Sequence, residues 1–150
     1  MGKIFGYSPL YLGLAALAGM MMAIQGTINS ALGDRLGPGE TNFIVHTTAV
    51  LILVGILIIT REKVSLQILH KTPWYLYLGG LIGVIITYGV ILSIPRLGVA
   101  VATTSIITAQ VLTAAAIDHL GFFGLDKVPF SWLRVVGIIF LAIGVRLLLE

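Results

Sequence analysis

Long apolar runs without a charged side chain constrain the fold of this chain more than any other feature. A bilayer core is about 30 Å thick, and a helix needs about 20 mostly apolar residues to cross it. Runs of about that length recur along the chain, in which 58% of the 150 residues are hydrophobic and only 10% are charged. So little polar surface could not cover a water-soluble domain of this length. The sequence therefore predicts an integral membrane protein.

Charged residues, prolines and glycines divide the apolar runs into five predicted transmembrane helices. The runs lack the alternation of barrel strands, so the expected fold class is an all-α integral membrane protein. The fifth span is the most interrupted, because Arg134 and Arg146 must snorkel toward opposite surfaces. We expect residues 1–150 to form a single five-helix membrane domain. The approximate predicted spans are residues 8–32, 41–60, 74–94, 97–117 and 131–149.

The distribution of lysine and arginine sets the expected orientation. Five crossings place the two termini on opposite sides of the membrane. The side of the N-terminus carries six of the basic residues and the other side carries three. The positive-inside rule therefore predicts a cytoplasmic N-terminus. The narrow margin is also compatible with insertion in both orientations.

Amides and hydroxyls inside the predicted spans are the candidates for a solute path. An amide that faces lipid loses hydrogen bonds, so we expect these amides to face protein or a cavity. Two alternatives stay open: hydroxyls commonly bond the carbonyl four residues earlier, and amides can clasp neighbouring helices. The candidate path residues are Gln25, Asn29, Tyr88, Thr104, Thr108 and Gln110.

Titratable groups are scarce within the predicted spans. The candidates for proton or ion coupling are His46, Asp118 and His119. The alternative is that His46 is an interfacial ring, and that Asp118 and His119 form a solvated helix end. The central part of each predicted span lacks Asp, Glu, Lys and Arg. This pattern favours a neutral or zwitterionic small solute over a highly charged one.

Small residues at helical spacing indicate close helix packing. Stripes of glycine allow the backbones of membrane helices to approach each other. The candidate packing glycines are Gly19, Gly79, Gly83, Gly137 and Gly144.

Several function classes have no support in the sequence. The chain contains no cysteine, no nucleotide-binding loop and no hydrolase motif, so we expect neither an enzyme nor a catalytic residue. Its three histidines are dispersed, so we expect no metal and no cofactor. The basic residues are scattered at the ends of apolar runs, a pattern that does not favour nucleic acid as a partner.

Four segments resemble the YdcZ-like family of the drug/metabolite transporter superfamily. They are "QGTINSALGDRLG", "YLYLGGLIGV", "PRLGVAVATTSIITAQ" and "AQVLTAAAIDHLGFFG", and the last is the most specific. The resemblance covers nearly the whole chain in the same order. The family's motif falls on Asn29, Gly79, Gly80, Gly83, Pro95, Gly98, Gln110, Asp118, His119, Gly121 and Gly124.

The resemblance implies an exporter of the bacterial inner membrane, built as a five-helix half of a transporter. Members of this family occur as single genes, as pairs and as fused two-domain proteins. That variety implies the antiparallel assembly of two copies, here a homodimer related as inverted repeats. Small multidrug relatives in the superfamily carry a carboxylate deep in the first helix, where this chain has Gln25 and Asn29. The difference argues against drug/proton antiport by their mechanism.

Together these features predict a secondary transporter in the cytoplasmic membrane of a prokaryote. Its partners would be a small-molecule substrate, the lipid bilayer and a second copy of the chain, and its mechanism would be alternating access. Two other hypotheses remain open. One is a dimeric channel for a small ion or solute, and the other is a non-transporting scaffold subunit.

Overall fold

The structure, a computed structural model, is helical in all its regular elements and describes residues 8–61, 66–124, 126–129 and 131–148. It confirms the predicted all-α class. Six α-helices and two short 3-10 helices follow one another along these described residues. The α-helices are α1 (Pro9–Leu36), α2 (Pro38–Thr60), α3 (Leu66–Lys71), α4 (Gly79–Leu97), α5 (Val99–Leu120) and α6 (Trp132–Leu148). The 3-10 helices are Trp74–Leu78, which runs directly into α4, and Phe122–Gly124.

Four helical segments in the described part of the chain are long and apolar enough to cross a membrane. They are Pro9–Leu36, Pro38–Thr60, Trp74–Leu97 and Val99–Leu120. The predicted fifth span corresponds to α6, which has 17 residues. At about 1.5 Å per residue such a helix is shorter than a bilayer core of about 30 Å. The protein is thus a multi-pass membrane protein, and a count of five crossings is not confirmed.

The chain forms two compact units, Met1–Pro95 and Arg96–Glu150. In the first unit α1 packs against α2, and in the second α5 packs against α6. The prediction of a single membrane domain stays a prediction.

A single glycine joins α1 to α2. The predicted boundaries left residues 33–40 outside both helices, but α1 continues to Leu36 and α2 begins at Pro38. Gly37 has φ 91° and ψ 157°, a backbone conformation that is essentially restricted to glycine. Its N–H donates to the Gly33 carbonyl at 2.8 Å, and its own carbonyl accepts from the Thr41 N–H at 3.2 Å. The following proline suits the first turn of α2, where no backbone donor is needed.

The junction between α4 and α5 repeats this local arrangement. Gly98 has φ 79° and ψ 159°, and its carbonyl accepts from the Ala102 N–H at 3.1 Å. Both glycines follow an Arg-Leu pair, in the segments "RLGPGE" and "RLGVAV". The predicted third span ended at residue 94, but α4 includes Pro95 and ends at Leu97. A proline in the last turn interrupts little of the hydrogen-bond ladder, so the helix ends at the glycine instead.

The first unit has polar groups inside and apolar groups outside. Its buried polar residues lie near the α1–α2 junction, and they are Asn29, Ser30, Thr41 and Asn42. Large apolar side chains such as Leu53 and Ile59 are exposed. This distribution suits a helix bundle in lipid, where outward apolar surface carries no penalty and polar groups must find partners inside.

Two glycines of α1 bring it close to α4. A methyl group at Gly33 would overlap the Ile91 Cγ2 atom, and one at Gly26 would lie 3.0 Å from Val90 Cγ1. Ile91 and Ile94 are the buried apolar residues of α4 on this contact. The absence of side chains at Gly26 and Gly33 therefore allows the close approach of the two helices.

Candidate functional site: a pocket between α2 and α4

A pocket of about 460 Å³ lies between α2 and α4, both within the first unit. Its volume falls in the range of small-molecule sites, which is about 300–1,000 Å³. Most of the wall is apolar and includes Phe43, Val50, Leu51 and Val84. The polar groups on the wall come from Asn42, His46, Thr47 and Tyr88.

Asn42 links the two helices at the base of this pocket. Its Nδ2 atom donates to the Val84 carbonyl of α4 at 2.9 Å. The side chain is buried, and its Oδ1 atom has no hydrogen-bond partner among the described residues. One half of the amide therefore clasps a helix, while the other half is an acceptor that still lacks a donor.

His46 is held with one nitrogen on its own helix. Its Nδ1 atom lies 2.9 Å from the Asn42 carbonyl of the preceding turn. A carbonyl can only accept, so Nδ1 carries the proton, and in the neutral ring Nε2 has a lone pair. Gly83 of α4 lies beside that atom, since a methyl group there would be 3.6 Å from Nε2. The ring therefore spans the gap between the helices with its acceptor away from α2.

Tyr88 reaches across from α4 to the start of α2. A methyl group at Gly39 would lie 3.1 Å from the tyrosine hydroxyl, so glycine leaves room for this group. Tyr88 is one predicted path residue and His46 is one predicted coupling residue. The structure brings these two side chains to the same pocket.

The other amides of the predicted path lie elsewhere. Asn29 is buried on α1 and is not among the residues that line this pocket. Gln25 and Gln110 are exposed on the surface of the chain. In a bilayer such amides need a partner outside the chain, so their place in a solute path stays a prediction.

Hydroxyl groups in the helices mostly bond their own backbone, which is one of the alternatives that the sequence left open. Thr104 donates to the Ala100 carbonyl at 2.8 Å, and Thr108 donates to the Thr104 carbonyl at 2.9 Å. A hydroxyl in this arrangement keeps its lone pairs for a solute, so the proposed role of both threonines stays untested. The same bond to the carbonyl four residues earlier occurs at Thr27, Thr60, Thr72, Thr87, Ser105 and Thr113.

Asp118 of α5 has a cationic partner. Its Oδ2 atom lies 3.4 Å from Nη1 of Arg134 on α6, and its carbonyl accepts from the Val128 N–H at 2.8 Å. A second pocket of about 360 Å³ adjoins this ion pair between α5 and α6. The predicted snorkelling of Arg134 toward a membrane surface stays a prediction, and its guanidinium contacts this carboxylate. His119 does not line this pocket. Ion coupling by Asp118, His119 or His46 stays a prediction.

The predicted packing glycines differ in their surroundings. Added methyl groups at Gly19, Gly79, Gly137 and Gly144 would meet nothing within 4 Å. In the described part of the chain no atom contacts these four added methyl groups, so a packing role for these glycines would need contacts beyond the described residues. That role stays a prediction.

Several buried or closely packed residues of the first unit were not predicted from the sequence. Gly26, Gly33, Thr41 and Asn42 were not singled out. Asn42 lies one turn before His46 at the start of an apolar run, and that spacing was the available signal. Gly19, Gly26 and Gly33 recur at seven-residue intervals on one face of α1, so the pattern does not distinguish them. They differ in their position along the helix, since α4 side chains lie close to Gly26 and Gly33 but not to Gly19.

A family comparison covers almost the whole chain. The model of a family described as "Putative inner membrane exporter, YdcZ" matches residues 10–147. The chain belongs to the YdcZ family of inner membrane exporters. The resemblance stated from the four sequence segments is thereby confirmed. No curated protein and no solved structure matches the chain.

Membership of the YdcZ family indicates a membrane transporter rather than an enzyme. In the described part of this YdcZ chain, no three His, Cys, Asp or Glu side chains come together as a metal site. The expectation that it needs no metal or cofactor stays a prediction. The pocket between α2 and α4 is a candidate for solute contact within the first unit.

Proposed function

We propose that this protein is a secondary transporter that moves a small organic solute out across the cytoplasmic membrane of a prokaryote. The observation that carries the proposal is the match to an exporter family over residues 10–147. The pocket between α2 and α4 supports it, because it combines an apolar wall with a few polar groups, as small-molecule sites do.

The transport cycle follows from pairing two copies in opposite orientations. Inverted repeats place a substrate site at their interface, and rocking of one repeat against the other exposes the site to each side in turn. The small difference in basic residues between the two sides supports insertion in both orientations. Exposed amides at Gln25 and Gln110 support a second copy as their partner.

Transport is tested with the purified protein in proteoliposomes. A thermal-shift screen against metabolites and toxic cations selects a stabilising solute, and its radiolabelled form is then followed across the membrane. We expect saturable flux that Asn29→Leu or Gln110→Leu reduces, with Gly13→Ala as the unaffected control. Normal flux in both correctly folded leucine variants would remove these residues from the path.

Reporter fusions at the C-terminus test the antiparallel homodimer. One reporter is active only in the cytoplasm, and the other is active only outside it. We expect both reporters to give a signal when fused to this terminus. A signal restricted to one side would rule out the antiparallel homodimer. Unitary currents in a planar bilayer that correspond to rates far above carrier turnover would favour the channel hypothesis over the transporter.

A further inference from the structure

We propose that the pocket between α2 and α4 binds a neutral, ring-bearing solute through an N–H or O–H group that the solute donates to His46 Nε2. This inference deepens the proposed transport function and rests on it. It concerns the chemistry of the solute and the residue that selects it.

Unused acceptors favour a solute that donates hydrogen bonds. Nδ1 of His46 donates to the Asn42 carbonyl of the same helix. The Nε2 lone pair of the neutral ring therefore has no hydrogen-bond donor on α2. The buried Asn42 Oδ1 atom also lacks a partner among the described residues. His46 lines the pocket and is half-buried, so a solute there can donate to its second ring nitrogen.

The uncharged wall argues against an ionic solute. Among the described residues, the lining of the pocket includes no Asp, Glu, Lys or Arg. A permanent ion would lose its hydration there without meeting an opposite charge. An apolar ring, in contrast, matches a wall that contains Phe43, Val50, Leu51 and Val84.

Two glycines shape the opening for such a solute. Gly83 keeps α4 clear of the His46 ring, and Gly39 keeps α2 clear of the Tyr88 hydroxyl. A methyl group at Gly83 would lie 3.6 Å from the imidazole nitrogen, and a methyl group at Gly39 would lie 3.1 Å from the phenol oxygen. The backbone of each helix thereby leaves space beside the polar group of the other.

The decisive comparison uses indole and 1-methylindole as probes. These two molecules have nearly the same ring, but only indole carries an N–H donor. Binding is measured by titrating protein that carries ¹⁵N-labelled histidine in lipid nanodiscs. We expect indole to shift the Nε2 resonance of His46 and to bind at least about tenfold more tightly than 1-methylindole. Equal binding of the two probes, or no saturable binding of indole, would overturn the proposal.

Substitutions then test whether the His46 imidazole is responsible for the preference for indole over 1-methylindole. His46→Leu is expected to reduce the ratio of the two affinities to about one, while His70→Leu, on the exposed side of α3, leaves it unchanged. A ratio preserved in His46→Leu would overturn the role of this histidine. If His46→Leu does not fold, the wild-type resonance still decides, because a Nε2 shift of the same size with 1-methylindole contradicts donation to this atom.

Different results would reject the transport function and the proposed binding chemistry. Flux of some solute together with equal binding of the two probes would reject the pocket chemistry and retain the transporter. Donor-dependent binding of indole without flux of any solute would retain the pocket and reject the transporter.

Discussion

Replacement of Gly33 by alanine tests whether the contact between α1 and α4 holds the first unit together. Alanine is a better helix former than glycine by about 1 kcal/mol, so propensity alone predicts a more stable protein. The new methyl group, however, would overlap Cγ2 of Ile91. Ile91 is only 3% exposed, and its β-branched side chain is restricted in χ1 within a helix.

The steric effect is therefore expected to dominate. Overpacking of a well-packed contact costs about 1–3 kcal/mol, and a neighbour that cannot rotate away favours the upper end. Subtraction of the gain in helix propensity leaves a net loss of about 2 kcal/mol in the free energy of unfolding. The hydrophobic effect contributes little to packing between helices in a membrane, so the loss measures van der Waals fit.

The free energy of unfolding is measured by steric trapping in bicelles. Gly13→Ala is the matched control on the same helix, because an added methyl group there meets no described residue within 4 Å. We expect this control to be as stable as the wild type or more stable by up to about 1 kcal/mol. In the double variant Gly33→Ala with Ile91→Ala, the loss should be smaller than the sum of the single losses. A Gly33→Ala protein as stable as the Gly13→Ala control would refute the packing argument.

Three further changes follow from the described contacts. Asn42→Leu removes the hydrogen bond to the Val84 carbonyl and should destabilise the protein by about 0.5–1.5 kcal/mol, as measured by the same unfolding assay. Asp118→Asn weakens the pair with Arg134, whose side chains are partly exposed, so a double-mutant cycle should give a coupling below about 1 kcal/mol. Gly98→Ala places a side chain at φ 79° and ψ 159° and should cost about 1–3 kcal/mol in unfolding free energy.

Each of these changes has its own contradicting result. Unchanged stability of Asn42→Leu would mean that the amide does not clasp α4. A coupling of several kcal/mol at Asp118 would mean that the ion pair is far less solvated than its exposure indicates. For Gly98→Ala the control is Gly89→Ala, since Gly89 lies in the interior of α4 with nothing near an added methyl group. Equal effects of the two substitutions would contradict the role of the left-handed backbone.

The sequence predicted the helices well but misplaced the breaks between them. The run before "GDRLGPGE" indicated a helix, yet its end was placed near residue 32, whereas α1 ends at Leu36. Local composition shows that a glycine and a proline are present. It does not show that Gly37 adopts φ 91° and that one residue suffices for the junction.

For the candidate site, the sequence identified the chemistry of single residues better than their combination. His46 and Tyr88 were both named, in different roles, because an imidazole and a phenol are unusual within apolar runs. Asn42 was not named, although it bonds the backbone of α4. Its importance depends on a partner 42 residues away, which no local pattern reveals.

The sequence by itself determined that this chain lies in a membrane as helices and that it belongs with exporters. Hydrophobicity summed over a span and the order of motifs are properties of the chain, so no contact between distant residues was needed for either conclusion. Tertiary structure alone decided which glycines lie at helix contacts, since a methyl group at Gly33 would meet Ile91, while one at Gly19 would meet no described residue within 4 Å. It also decided that His46, Asn42 and Tyr88 share one pocket. The physical reason is that a pocket exists only where two helices face each other, and their facing residues are far apart in the chain.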